Sequence, residues 1–338
     1  MFIQTVLGPI KPDDLGSTLM HEHLLCNLVL PSAEGRNACA DEICLSNVWE
    51  INYGVREGRD QFRLNEVDTA IGEMAAYKEN GGGAVVELTV GGIGPDPLGL
   101  QKIARASGCH IVMGCGYYVD DYQDKIRESS IDELTGQMLR QMKVGAWGTD
   151  VRAGLIGEIG CSHPWTPLEE RVLHAAVLVQ QETQAALNVH PGRHADQPML
   201  IARQVKDWGG DCRRTIISHI ERTLFDMDDY LRIANTGCIL EFDMFGEEQS
   251  HYPQANVDLP NDAGRLKIIR TLIDRGHLDQ IVISQDICVR TRTSRYGGHG
   301  YSHIHKNIIP LMKRRAFTQP EIDAIMIGNP KRLLTLQH

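Results

Sequence analysis

The sequence predicts an α/β fold: a (β/α)8 TIM barrel with its active site at the C-terminal ends of the strands. Two observations carry this. Short apolar, β-rich runs recur at 18–23, 84–89, 110–116, 154–160, 185–190, 215–220, 238–245 and 281–287, with helical segments between most of them. Several of these runs also end in a residue that binds transition metals, and a parallel barrel gathers such ends on one face. No GxGxxG follows the first run, so an open dinucleotide-binding sheet lacks its signature.

The elements follow in order. TLMHEH (18–23) is the first strand. The long polar loop from 26 to 60 is expected to lay short helices over the barrel mouth. VDTAIGEMAAYKEN is helical, and Gly81 to Gly83 end that helix and start the second strand, AVVELT. HIVMGCG and GLIGEIG are the third and fourth strands. In PLEERVLHAAVLVQQETQ, Leu168, Val172, Ala175 and Leu178 fall close to a 3.6-residue period; Thr166 is placed to cap this helix and Pro167 to open it. AALNVH, TIISHI, CILEFDMF and IVISQDI complete the set. No internal repeat, low-complexity tract or linker interrupts the chain, so residues 1–338 are expected to form one barrel domain; a barrel takes about 250 residues and more with insertions.

Composition narrows the partners. Hydrophobic residues are 42% and charged residues 23% of 338, ordinary for a globular protein. The net charge of −10 argues against a nucleic-acid binder. No apolar run approaches the ~20 residues needed to span a bilayer. The opening MFIQTVLGPIKPDD lacks the basic-then-apolar pattern of a signal peptide. The nine cysteines, odd in number and without a CxxC pair, read as reduced thiols in a cytoplasmic protein. The expected partner is a small-molecule substrate, with no nucleic acid and no membrane; a homodimer is the default assembly.

His21 and His23 are the sharpest local signal. Residues i and i+2 of a strand face one side, so both imidazoles enter the barrel and Glu22 points away. A lone HxH is weak, because a strand-end histidine is more often a hydrogen-bonded core residue. Here Glu158, His190, His219 and Asp286 arrive on later strands at the same face. Six ligands exceed the three or so that one catalytic zinc uses, and suit two divalent ions, zinc or else manganese, iron or cobalt. Glu158 is the natural bridge. His21, His23 and Asp286 would hold one ion, His190 and His219 the other. A water between two cations ionises near neutral pH, and Asp286 is placed to take its proton and pass it to a leaving group.

GSTLMHEHL resembles the N-terminal signature of the phosphotriesterase family within the amidohydrolase superfamily. The likeness continues through TVLG, IGEIGCS, NVHPGR, SHIERT, EFDMFG, SQDI and YGGHGYSHI, and is closest in kind to the phosphotriesterase-related subgroup. It implies a binuclear (β/α)8 metallohydrolase with the same six ligands. One departure matters: better-known members bridge their metals with a carboxylated lysine, where this chain has Glu158, as members of the subgroup do. That argues against potent phosphotriesterase activity. The subgroup likeness further implies cleavage of N-acetyltaurine and related N-acyl-taurines to taurine and a carboxylate.

Residues just beyond the strand ends are the candidates for substrate contact: Arg193, Arg222, Tyr117, Tyr118, Arg290 and His299, with Arg292, Tyr296, Tyr301 and His303 nearby in a glycine-rich stretch that suits a lid. Several arginines around a metal mouth favour a substrate with an anionic group. Glu87, Glu241 and Asp243 either orient the histidines or neutralise the arginines. A thiol nucleophile at Cys161 beside His163 has no orienting third residue. The rivals are a lactonase, an esterase or a weak phosphotriesterase on the same metals, a mononuclear barrel, and a non-catalytic ligand-binding barrel. The last would be expected to lose Asp286 or a histidine, and all are present.

Overall fold

The computed structural model describes residues 1–34, 40–249, 251–252 and 254–337. Eight parallel strands surround the core: β1 (Thr18–Glu22), β2 (Ala84–Glu87), β3 (His110–Met113), β4 (Ile156–Gly160), β5 (Leu187–His190), β6 (Thr215–Ile217), β7 (Ile239–Phe242) and β8 (Ile281–Ile283). β1 to β3 pair in sequence order, as do β4 to β8. Backbone bonds close both seams. Gly154 and Gly160 donate to Met113 and Tyr117 across β3 and β4, and Asp286 donates to the His21 carbonyl across β8 and β1. Glu22, fully buried, reinforces the second seam by accepting from Ser284 Oγ at 2.7 Å, Gln285 N at 2.9 Å and Ile287 N at 3.0 Å.

The strands are apolar on both faces because both are covered. Met20, Val86, Val112, Ile216 and Val282 fill the barrel interior, whereas Leu19, Val85, Ile111, Ile217, Ile281 and Ile283 join the layer under the helices. Each buried side chain of this size contributes roughly 1.5–3 kcal/mol. Ile3 and Leu15 from the N-terminal segment and Leu333 and Leu334 from the C-terminal helix belong to the interior cluster. They sit at the N-terminal strand ends, where Arg214, just before β6, donates to the carbonyls of Leu333 and Thr335. That end is plugged, so the mouth lies at the other.

The outer helices include α1 (Val67–Glu79), α2 (Pro97–Ser107), α3 (Ile131–Lys143), α4 (Pro167–Thr183), α5 (Gln197–Asp207), α6 (Met227–Ala234) and α7 (Asp262–Asp274). The expected start of α4 holds: Thr166 and Glu169 form a reciprocal capping box and Pro167 opens the first turn. The loop after β1 carries a 3-10 turn at Pro31–Ala33 and a short helix at Val48–Asn52, and is pinned by antiparallel pairing of Cys26 and Asn27 with Leu64 and Arg63. Part of the expected loop, residues 35–39, and with it Cys39, lies outside the described residues. The described cysteines are free thiols. Among the described residues, no helix is long and apolar enough to cross a membrane.

Two strands depart from simple alternation. The β1–β2 register shifts between Leu19 and Glu22, and the β4–β5 register shifts between Ile156 and Ile159. Each shift falls where a predicted ligand lies, His21 on β1 and Glu158 on β4, and such irregularities re-aim side chains next to active sites.

Candidate metal centre

The Glu158 carboxylate is buried at the centre of four imidazoles. Its Oε1 lies 3.6 Å from His21 Nε2 and 3.3 Å from His23 Nε2. Its Oε2 lies 2.8 Å from His190 Nδ1 and 3.5 Å from His219 Nε2. Each oxygen therefore faces its own pair of ring nitrogens. Asp286 Oδ1 stands 3.4 Å from His23 Nε2 and 3.7 Å from His21 Nε2, while its Oδ2 lies 3.7 Å from His219 Nδ1.

Most of these separations exceed the 2.7–3.2 Å of a good hydrogen bond. His21 Nε2 is buried with no hydrogen-bond partner among the described residues. His190 Nδ1 and His219 Nε2 point at each other across 3.0 Å while both face Glu158 Oε2. Ring nitrogens crowded round shared carboxylate oxygens, with one of them orphaned, form a donor set that fits two divalent cations bridged by Glu158. His21, His23 and Glu158 form one group whose ligand atoms lie within 4.8 Å of one another, and Glu158, His190 and His219 form another.

The electrostatics agree. Burial alone pushes the Glu158 pKa up, but His21, His190 and His219 outweigh it and hold it well below the usual carboxylate range. Burial pushes His23 down, yet Asp286 and Glu158 raise it to about 10. The carboxylates thus draw positive charge to this spot. His190 goes the other way: burial, then the Arg222 guanidinium, holds it well below the ordinary value.

The rear nitrogens are anchored. His23 Nδ1 lies 2.9 Å from Thr89 Oγ1, which donates to Glu87 Oε1 at 2.6 Å. Asp243 serves two rings: its Oδ2 is 3.1 Å from His21 Nδ1, and its Oδ1 is 2.9 Å from His219 Nδ1. It also accepts from the His219 backbone N–H. Glu241 Oε2 is 3.3 Å from His21 Nδ1 and accepts from Asn188 Nδ2 and Ser218 Oγ. Glu87, Glu241 and Asp243 thus stand behind the histidines, and none pairs with an arginine within 4.0 Å among the described residues. Such anchoring fixes ring orientation and tautomer.

The candidates for substrate contact divide. Tyr118 and Arg222 come to the cluster: the Tyr118 hydroxyl is 3.5 Å from His190 Nδ1, and Arg222 Nη2 is 3.0 Å from His190 Nε2. Arg193 reaches the Tyr252 hydroxyl at 3.3 Å, with its guanidinium over that ring. The others have different neighbours. Tyr117 donates to Gln137 on α3. Arg290 binds the Arg63 carbonyl, Asn65, Tyr296 and Glu66, tying the 290s segment to the stretch before α1. His299 sits against Gln285 and the Gly300 carbonyl, and burial lowers its pKa to about 3. Arg292 pairs with Glu247 and donates to the Asp286 carbonyl at 2.8 Å, bracing the backbone of that residue.

Thr89, Asn188, Ser218 and Tyr252 escaped the sequence reading. The first three lie within two residues of Glu87, His190 or His219, so proximity to a strand-end ligand or carboxylate was the available signal. Tyr252 lies on a long loop after β7 and had none.

The model of the family described as the phosphotriesterase family matches residues 1–334. The N-acetyltaurine hydrolase of Salmo salar is 40% identical over 342 residues, covering 99% of this chain and 98% of that protein. The N-acetyltaurine hydrolase of Dictyostelium discoideum is 40% identical over 361 residues, with the same coverage. Among solved structures, a resiniferatoxin-binding protein from Rhodobacter sphaeroides is similar with a TM-score of 0.92 and 32% identity, covering 98% of this chain and 94% of that one.

Proposed function

This chain belongs to the phosphotriesterase family, and from that premise we propose that it hydrolyses N-acetyltaurine and related N-acyl-taurines to taurine and a carboxylate. The observation that carries the chemistry is Glu158, with each oxygen turned to a separate pair of imidazoles. Full-length relatives named N-acetyltaurine hydrolase support the substrate.

His21, His23 and Asp286 would hold one ion and His190 and His219 the other, with Glu158 between them. Two such ions, when bound, polarise an acyl oxygen and lower the pKa of a water. Asp286 faces the histidines yet keeps 14% of its side chain open to solvent. Its carboxylate takes the proton of the attacking water and returns it to the departing amine, so that hydroxyl ends on the acyl carbon and hydrogen on nitrogen. Arg222 and Arg193 hold the anionic end, and Tyr118 lines the wall beside His190. Tyr117, Arg290 and His299 complete the substrate surround in this reading, acting through the loops they brace.

Zinc at both positions, a cytoplasmic setting and a homodimer belong to the same proposal. The mixed imidazole and carboxylate donors, the free thiols and the prevalence of symmetric dimers support them. Metal analysis of the purified protein, paired with an assay of taurine release from N-acetyltaurine, tests the whole. About two ions per chain are expected. Full activity with only trace metal sinks the proposal.

A further inference from the structure

Arg222 and Arg265 are the two buried arginines among the described residues, exposed by 2% and 0%. Each has one buried guanidinium nitrogen without a hydrogen-bond partner among the described residues, but their counter-ions differ. Arg265 is matched by two carboxylates, Glu221 at 3.3 Å and Asp262 at 2.9 Å. Arg222 has no carboxylate within 4.0 Å among the described residues. Among the described residues, its Nη2 meets only His190 Nε2 and the Pro191 carbonyl, at 3.0 and 3.1 Å, and its Nη1 is buried with no partner. A buried guanidinium without a counter-ion is costly unless something anionic completes it.

The neighbourhood deepens the imbalance. His190 is turned to Glu158 by Nδ1 at 2.8 Å, which leaves its Nε2 as the ring atom that meets Arg222. Arg193, three residues after His190, likewise has no carboxylate within 4.0 Å among the described residues, and its polar partner there is the Tyr252 phenol. On the side of His190 away from Glu158, the described residues thus bring guanidiniums and phenols, with no carboxylate paired to either arginine.

We propose that Arg222 is the residue that reads substrate charge: its free Nη1 edge, assisted by Arg193, binds the ionised terminus of a small N-acyl amide. A sulfonate, carboxylate or phosphonate terminus satisfies it, and a neutral group of the same shape does not. This rests on the hydrolase reading above, and deepens it by assigning the selectivity to one side chain.

The test compares N-acetyltaurine with its neutral methyl-sulfone counterpart in wild type, Arg222→Gln, Arg222→Lys and Arg193→Gln, with metal content measured for each and ethanesulfonate binding followed by calorimetry. The ratio of kcat/KM values, anionic over neutral, is expected to fall on the order of 100-fold in Arg222→Gln, mostly through KM, and ethanesulfonate binding to weaken at least about tenfold. Arg222→Lys should recover part of the ratio, since it keeps the charge and loses the fork; Arg193→Gln should lower it less. An unchanged ratio or unchanged ethanesulfonate binding in Arg222→Gln overturns the proposal. If that variant sheds metal, Arg222→Lys carries the comparison, and a ratio equal to wild type there, with Arg193→Gln also unchanged, overturns it. A wild-type protein that cleaves neither amide yet binds ethanesulfonate through Arg222 supports the anion site and refutes the amidase reading.

Discussion

Replacing Asp243 with Asn should loosen the metal centre without unfolding the barrel. The carboxylate holds the rear nitrogens of His21 and His219 at 3.1 and 2.9 Å, so one side chain orients a ligand in each of the two groups. Burial pushes its pKa up, but the two imidazoles, His219 first, hold it well below the usual carboxylate range, so an anion is the native state. Asn keeps one oxygen. If that oxygen stays on His219, the amide NH2 faces His21 Nδ1, which itself carries a proton whenever Nε2 is the ligand. Donor then meets donor, and His21 is left with Glu241 at 3.3 Å. One charge-assisted hydrogen bond is lost, about 1.5–3 kcal/mol. Expressed on metal binding, that is roughly 10- to 100-fold in affinity. Competition against a chelator of known affinity measures it, with circular dichroism as the check on folding. A variant that binds both ions within twofold of wild type would show that Asp243 does not orient these rings.

Three further outcomes are expected. Asp286→Asn should retain metal, since an amide oxygen still donates, while kcat falls by about 100-fold or more; full activity with both ions bound removes Asp286 as proton carrier. Glu22→Gln leaves one oxygen for the three donors of Ser284, Gln285 and Ile287 at the β8–β1 seam, so denaturant titration should show a loss of about 2 kcal/mol, and no loss would mean the seam does not depend on this clamp. Glu321 is held down to about 2, by its bond to Arg270 first, from an ordinary 4.5. Its stabilisation is present above the unfolded value and lost as pH falls through about 2. Solvent screening keeps the deficit of Glu321→Gln below about 1 kcal/mol at pH 7. That deficit should close between about pH 4.5 and 2, and one that stays constant to pH 2 would be incompatible with this ion pair.

The sequence alone determined the barrel and singled out six side chains that the fold brings together. Both rest on repeating local signals: apolar runs of strand length, helical periodicity between them, and metal-binding residues at run ends, which a parallel closed sheet must bring to one face. Family resemblance added the substrate class. What the chain could not announce depends on contacts remote in sequence. Alternation predicts that His21 and His23 share a side, but the register shifts that aim His21 and Glu158 come from pairing with β2 and β5. His219 and Asp286 lie past the ends of β6 and β8 with φ of 49° and 46°, a left-handed backbone that is uncommon outside glycine and that the strand pattern does not announce. The same holds for charge. Eight-strand counting lists arginines near the mouth without distinguishing them. Only packing shows that Arg290 and Arg292 are committed to partners on neighbouring loops, while Arg222 is buried beside His190 with no counter-ion among the described residues, because whether a cation is neutralised depends on which carboxylates the fold brings within reach.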